Sequence, residues 1–268
     1  MRARPLLPPL VLALHQTPAR AAWSPMALGA NPLRRLLAGL LARGYRFLPL
    51  DRVGPEGPGP GEALLTVDDG YASTASVLAP LARELGIPWC VFILVGAVGS
   101  RNDWDLRGVS SPERHLNAEE IGALAAEGVS IGSHGIRHVD LTRLSDHQLA
   151  VELASSRAWL EAATGARVEA VSYPWGRVDA RVARAAKRAG YRIGFALRER
   201  RRRIAFVPEL RGFAIPRTAL YAPDQIPGLF EASTLAMPRA GRIVREGAGS
   251  LGGWLVARAL EASGRAHA

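Results

Sequence analysis

Cysteine is nearly absent from this chain. With Cys90 as the only one among 268 residues, an internal disulfide and any cysteine-rich metal cluster are excluded. Lysine is as scarce: of 34 basic residues only Lys187 is a lysine. The formal net charge of +10 would ordinarily point to acidic partners. An arginine load that travels with abundant alanine, glycine and proline is equally well explained by biased codon composition. There is no zinc-knuckle spacing, no ribbon of interleaved basic and aromatic residues and no long basic helix, so nucleic acid is not an expected partner. The one dense charge run, Arg198 to Arg203, reads as a solvated loop. Long hydrophobic runs are also missing, and none reaches the roughly 18 to 20 residues that span a bilayer. Arg2 and Arg4 precede a Leu/Val/Pro run, but Pro8 and Pro9 interrupt it and His15-Gln16-Thr17-Pro18 is a poor cleavage site. Leu10 to His15 is therefore read as a first strand, and the expected compartment is the cytoplasm.

What the chain does have is apolar content, 48% of it hydrophobic, enough for one substantial core. Its most informative stretch is Leu64-Leu65-Thr66-Val67-Asp68-Asp69-Gly70-Tyr71, a buried-strand pattern that stops at two adjacent carboxylates and a glycine. Like charges at the end of a buried strand cost free energy unless compensated, and a bound cation compensates them. Taken alone, the same residues also read as an ordinary Asp-Asp-Gly turn. A second element decides for chemistry: Ser133-His134-Gly135-Ile136-Arg137-His138, directly after the apolar run Val129 to Ile131. Histidines four apart lie on one side of a helical turn, the spacing of two-histidine zinc sites. One of the two aspartates would complete three ligands, leaving a position for water, and the other would stand free as a general base.

Helix and strand patterns alternate along the chain. Asn31 and Pro32 open an amphipathic helix, as cap and first residue, that stops at Gly44. Strands are expected at Tyr45 to Leu50, Ile87 to Val95, Val168 to Tyr173, Tyr191 to Leu197 and Phe213 to Arg217. Helices are expected at Ala72 to Leu85, after the Asn117 capping box, after Ser145 with Gln148 three residues on, and at Asp179 to Ala189. Gly96 to Leu116 reads as a long surface loop, and Leu251 to Ala262 as a helix in a carboxy-terminal extension, 221–268, of a single domain whose core is 8–220. Repeated strand-helix units make a parallel α/β sheet, open or closed. His15, Asp68, Asp69, the Gly96 loop, His134 and Pro174 to Gly176 all fall at the carboxyl ends of different strands, which favours a closed barrel whose mouth collects them.

Three of these stretches, Thr66-Val67-Asp68-Asp69-Gly70, Ser133-His134-Gly135-Ile136-Arg137-His138 and Ser172-Tyr173-Pro174-Trp175-Gly176, resemble in order and spacing the first three motifs of the polysaccharide deacetylase family, the NodB-homology or carbohydrate esterase family 4 proteins. The similarity runs from about His15 to Arg217. It implies a distorted (β/α)7 barrel and metal-dependent removal of an N-acetyl group from an amino sugar of a polysaccharide or glycan intermediate. Asp68 would then be the base, Asp69, His134 and His138 the ligands of one divalent ion, expected to be Zn2+, and the Trp175 backbone N–H an oxyanion donor. An N-acetylated glycan is the implied partner, with Tyr71, Trp104, Tyr173, Pro174 and Trp175 against its rings. A deformylase or other amide hydrolase, or a glycan-binding relative without activity, is the alternative.

The chain departs from that pattern at two points. The third motif begins with Ser172 where the family usually has arginine, and no Leu-x-His general acid follows Leu197; the only histidine there is His267. Arg217 is expected to orient Asp68 in the missing arginine's place. His15, at the end of the first strand, is expected to supply the leaving-group proton, since an imidazole titrates near neutrality.

Overall fold

The computed structural model describes residues 7–19, 27–101, 113–197 and 208–220. Eight parallel strands are present there: β1 (Leu10–Leu14), β2 (Arg46–Phe47), β3 (Glu62–Val67), β4 (Trp89–Ile93), β5 (Ser130–Ser133), β6 (Ala170–Ser172), β7 (Ile193–Leu197) and β8 (Ile215–Ala219). The order β1-β8-β7-β6-β5-β4-β3 closes through a β1–β3 pairing, Leu12 opposite Leu65 and Leu14 opposite Val67. Seven strands thus form a barrel, and the two-residue β2 is an addition to β3. Helices α1 (Ala30–Ala42), α2 (Ala79–Leu85), α3 (Ala118–Ala126), α4 (Asp146–Thr164) and α5 (Ala180–Arg188) follow strands and cover the outside.

Strand alternation divides the core in two. Leu64, Cys90, Phe92, Ile193, Phe195 and Ile215 pack in one cluster inside the barrel, while Leu65, Val67, Val91, Ile131 and Val171 pack against the helices. Residues 64, 66 and 68 share the inner face, so Thr66 and Asp68 sit above an apolar floor. The Asp68 amide continues the ladder to the Leu14 carbonyl at 2.8 Å, and Leu220 does the same to Ala13 at 2.9 Å. These bonds bring the ends of β1, β3 and β8 to one level.

Capping chemistry sets several boundaries. Asn117 and Ser145 each form a reciprocal capping box, with Glu120 and Gln148, and Asp179 caps α5. Gly86 and Gly165 end α2 and α4 in the left-handed conformation. Other boundaries depart from expectation for physical reasons. The cap of α1 is Gly29, and Asn31 and Pro32 lie inside its first turn, where amide donors need no helical partner. The strand expected at 45–50 stops after Phe47: the Leu48 amide makes the last bond to β3, to the Ala63 carbonyl at 2.8 Å, and a 3-10 turn begins at Leu50. The helix expected from Ala72 opens as a wide π turn, Thr74–Leu78, before α2. Pro80 cannot donate the regular helical bond at that junction. Among the described residues no helix is long and apolar enough to cross a membrane. The helix expected at 251–262 lies outside them.

Candidate active site

Asp69 is the first residue after β3 that breaks alternation. Continued pleating would turn its side chain outward, opposite to Asp68. Instead its backbone takes a left-handed conformation, φ 68°, which aspartate tolerates better than most side chains. The carboxylate thereby swings to the mouth, with Oδ1 3.4 Å from His134 Nε2 and 3.7 Å from His138 Nε2. His115, arriving from the long loop, holds the Asp69 carbonyl through Nδ1 at 2.9 Å, and so restrains this turn. Nothing in the residue pattern of 96–116 marks His115 for that task.

The three donor atoms of Asp69, His134 and His138 lie within 4.8 Å of one another. His134 Nδ1 is 2.8 Å from the Ser172 carbonyl oxygen. A carbonyl only accepts, so Nδ1 carries the proton and Nε2 turns its lone pair to Asp69, the arrangement of a metal-ligating histidine. Burial is the main cause that pushes both imidazoles below their ordinary pKa, with Asp68 opposing it. Two imidazoles beside a carboxylate are the donor set of a hydrolytic divalent site, so the residues fit an ion there. Cys90 does not join them: burial pushes its thiol up, and it lies in the apolar floor.

The segment from His134 to His138 is not the helical turn expected from the spacing. Gly135 adopts φ 81°, and the loop is tied down from outside the barrel. Glu152 of α4 accepts from the Ile136 and Arg137 amides at 2.7 and 3.0 Å. His134 faces Asp69 from the end of β5, held by Ser172, and His138 faces it because of this loop, not because of helical periodicity.

Asp68 stands beside the cluster in a separate pairing. Arg217 Nη1 and Nη2 donate to its two carboxylate oxygens at 2.8 and 2.6 Å. The same guanidinium donates to Thr66 Oγ1 at 3.0 Å and Ser172 Oγ at 2.7 Å, above the rings of Phe92 and Phe195. Arg217 is 1% exposed. Burial would raise the Asp68 carboxyl, but Arg217, with help from His134 and His15, holds it well below the usual carboxylate range. The short Ser172 side chain accepts one of the guanidinium's bonds at the point where the third motif usually begins with arginine. His15 is buried at the end of β1, close enough for its charge to act on both Asp68 and His138.

Trp175 is half-buried in the turn Pro174–Gly176 with φ 62°. Its indole edge meets His138 at 4.7 Å between centroids, and Nε1 donates to the His138 carbonyl at 3.3 Å. Gly176 must be glycine here, since a Cβ would come within 2.4 Å of Leu197. The other expected sugar contacts need correcting. Tyr173 follows Ser172 and alternates to the helix-facing side, where it is fully buried with its hydroxyl over Gly194. Pro174 is buried, and Tyr71 is buried with His115 stacked on its ring at 4.5 Å. None of these three offers a face to a glycan. Trp104 lies outside the described residues.

A family model described as polysaccharide deacetylase matches residues 56–194, just over half of the chain and all of the Asp68, Asp69, His134, His138 and 172–176 positions. The chain belongs to the polysaccharide deacetylase family. His15 and Arg217 fall outside the matched residues. YxkH of Bacillus subtilis (strain 168), a protein named for the polysaccharide deacetylases, is 28% identical over 131 residues, 49% of this chain and 43% of YxkH. This chain therefore aligns with less than half of YxkH's length. Among solved structures, the deacetylase PplD of Streptococcus pyogenes, in complex with acetate, superposes with a TM-score of 0.65 at 18% identity, covering 87% of this chain and all of PplD. IcaB of Ammonifex degensii gives 0.69 at 20% identity, over 85% of this chain and 98% of its own. At such identities the likeness establishes the deacetylase barrel, in agreement with the seven-strand closure through β1 and β3.

Proposed function

We propose that this polysaccharide deacetylase family member removes the acetyl group from an N-acetylated amino sugar in a polysaccharide or glycan intermediate, with one divalent ion held by Asp69, His134 and His138. The observation that carries the reading is the division of labour between adjacent carboxylates: Asp69 faces the Nε2 atoms of His134 and His138, while Asp68 is held apart by Arg217. When bound, the ion would supply Lewis acidity towards the acyl oxygen and make water a better nucleophile near neutral pH; Zn2+ suits the donor set.

The chain's own residues then have defined tasks. Asp68, kept ionised and aimed by two guanidinium bonds, accepts a proton from the attacking water. The Trp175 amide, presented by a left-handed turn beside His138, donates to the developing oxyanion, a contribution that grows with preorganisation in a dry site. Among the described residues the Trp175 ring is the aromatic face left for a sugar. His15 is the donor to the departing amine, supported by its position between the influence of Asp68 and of His138. His15→Gln should lower kcat by about 10²- to 10⁴-fold, lose the alkaline limb of the pH profile and keep its metal. A variant with the parent's rate and profile would remove His15 from the mechanism.

The reading as a whole is tested by acetate release from N-acetylated glucosamine oligomers. Acetate with the free amine as co-product is expected; formate from an N-formyl analogue with no acetate from the acetylated one would move the chain to a different amide hydrolase.

A further inference from the structure

Glu152 is a buried acid that the proposed mechanism does not use. It projects from α4, is 1% exposed, and lies on the outer side of the barrel wall from the Asp68–Arg217 pair. Taking a carboxylate out of water is costly unless its oxygens are fully engaged, and Glu152 is fully engaged. Oε2 accepts from the amides of Ile136 and Arg137 at 2.7 and 3.0 Å, and Oε1 from Arg137 Nε at 2.6 Å. These two amides belong to the residues between His134 and His138. A carboxylate accepting backbone N–H groups makes the strong, short kind of hydrogen bond.

Other bonds hold the Gly135 amide and the loop carbonyls, while the Ile136 and Arg137 amides are held by Glu152. The loop is neither helix nor strand, and Gly135 takes φ 81°. A Cβ on Gly135 would sit 3.2 Å from Glu152 Oε2, so the glycine permits the close approach of the carboxylate. At the start of the loop Ser133 Oγ accepts from the Gly135 amide at 3.1 Å and donates to Ser156 Oγ of α4 at 2.8 Å. On its other side, Val95 and Gly96 donate to the carbonyls of Gly135 and Ile136 at 3.0 and 2.9 Å. His134 is fixed by the ladder to β4 and by Ser172. His138 lies beyond the loop, so its direction depends on how residues 135–137 are held.

We infer that Glu152 is a positioning residue for the metal site: it fixes the 135–137 backbone from the helix side and thereby sets His138 relative to His134 and Asp69. The inference rests on the reading of those three residues as metal ligands. Partners of ligating groups typically alter metal affinity by about 10- to 100-fold when replaced. Arg137 is the exposed part of the arrangement, with a side-chain exposure of 58% against 1% for Glu152. Its ion pair is therefore expected to matter little, since exposed charges are well screened.

The experiment is zinc titration of the purified full chain with a competing chromophoric chelator, in the parent, Glu152→Gln, Arg137→Gln and, as a matched α4 core lesion, Leu160→Ala. Glu152→Gln is expected to weaken zinc binding about 10-fold or more, with Arg137→Gln and folded Leu160→Ala within about twofold of the parent. Equal affinity in Glu152→Gln and the parent would overturn the inference. So would a matching loss in Leu160→Ala, which would show a general effect of weakening α4. A parent that binds no zinc would defeat the metal reading itself and this inference with it. Should Glu152→Gln fail to fold, amide hydrogen exchange of the parent decides. Strong protection of Ile136 and Arg137 is expected, and exchange at the rate of exposed amides would contradict the role.

Discussion

Replacing Arg217 by methionine should destabilise the barrel by about 3–5 kcal/mol, the range seen when one member of a buried ion pair is removed. The guanidinium makes four hydrogen bonds to Asp68, Thr66 and Ser172 in the barrel interior, and its loss leaves a buried carboxylate without its paired cation. The pH dependence has a definite sign. In the parent, Asp68 is held below its unfolded pKa of about 3.9, so its contribution to stability is present above about pH 4 and fades as pH falls through the folded value. In Arg217→Met, burial dominates and the carboxyl rises above its unfolded value. The variant is then least favoured at neutral pH, and the gap from the parent narrows on acidification. Urea unfolding of the chelated proteins at pH 7 and pH 4 measures both. The double variant Asp68→Leu/Arg217→Met should recover most of the lost stability, because an apolar pair avoids the desolvation cost, yet show no turnover. A single variant as stable as the parent would mean that the pair contributes no net stability.

Asp68→Asn should reduce turnover by about 10²- to 10⁴-fold, the usual contribution of a positioned general base, while keeping its metal. The side chain remains similar in shape but cannot accept the proton. Its amide NH2 opposes one Arg217 donor, so some stability is lost and activity must be read where the variant is folded. Metal retention follows from the geometry, since it is Asp69 Oδ1 that faces both imidazoles. If Asp68→Asn loses metal and Asp69→Asn keeps it, the two carboxylates exchange roles.

Local signals carry far in this chain because local chemistry sets the boundaries. Asn117 with Glu120 and Ser145 with Gln148 name their helix starts, and Gly86 and Gly165 name their stops. Regular periodicity yields at two places: β2 gives way to a 3-10 turn at Leu50, and Pro80 accompanies the π turn before α2. The adjacent carboxylates and the paired histidines are visible in the sequence as chemistry, but the means of aiming them are not. Strand parity alone would separate Asp68 from Asp69, and only the left-handed backbone at Asp69 brings both to the mouth. Helical spacing pairs His134 with His138 correctly but from the wrong conformation. Their loop is shaped by Glu152 in the helix that follows, and no local pattern connects the two. Tyr173 defeats a motif-based reading because its motif neighbours face the site, whereas alternation from Ser172 sends it to the helices.

The central claim is that Asp69, His134 and His138 hold one divalent ion on which amide cleavage depends. Its most direct test measures metal content and acetate release together, in the parent and in Asp69→Ala, His134→Ala and His138→Ala, after chelation and zinc reconstitution. One ion per chain is expected in the parent, with acetate release abolished by chelation and restored by zinc. Each alanine variant should lose most of both, because three protein ligands leave no redundancy. Full zinc occupancy in His138→Ala, or acetate release by the parent that chelation leaves unchanged, would contradict it.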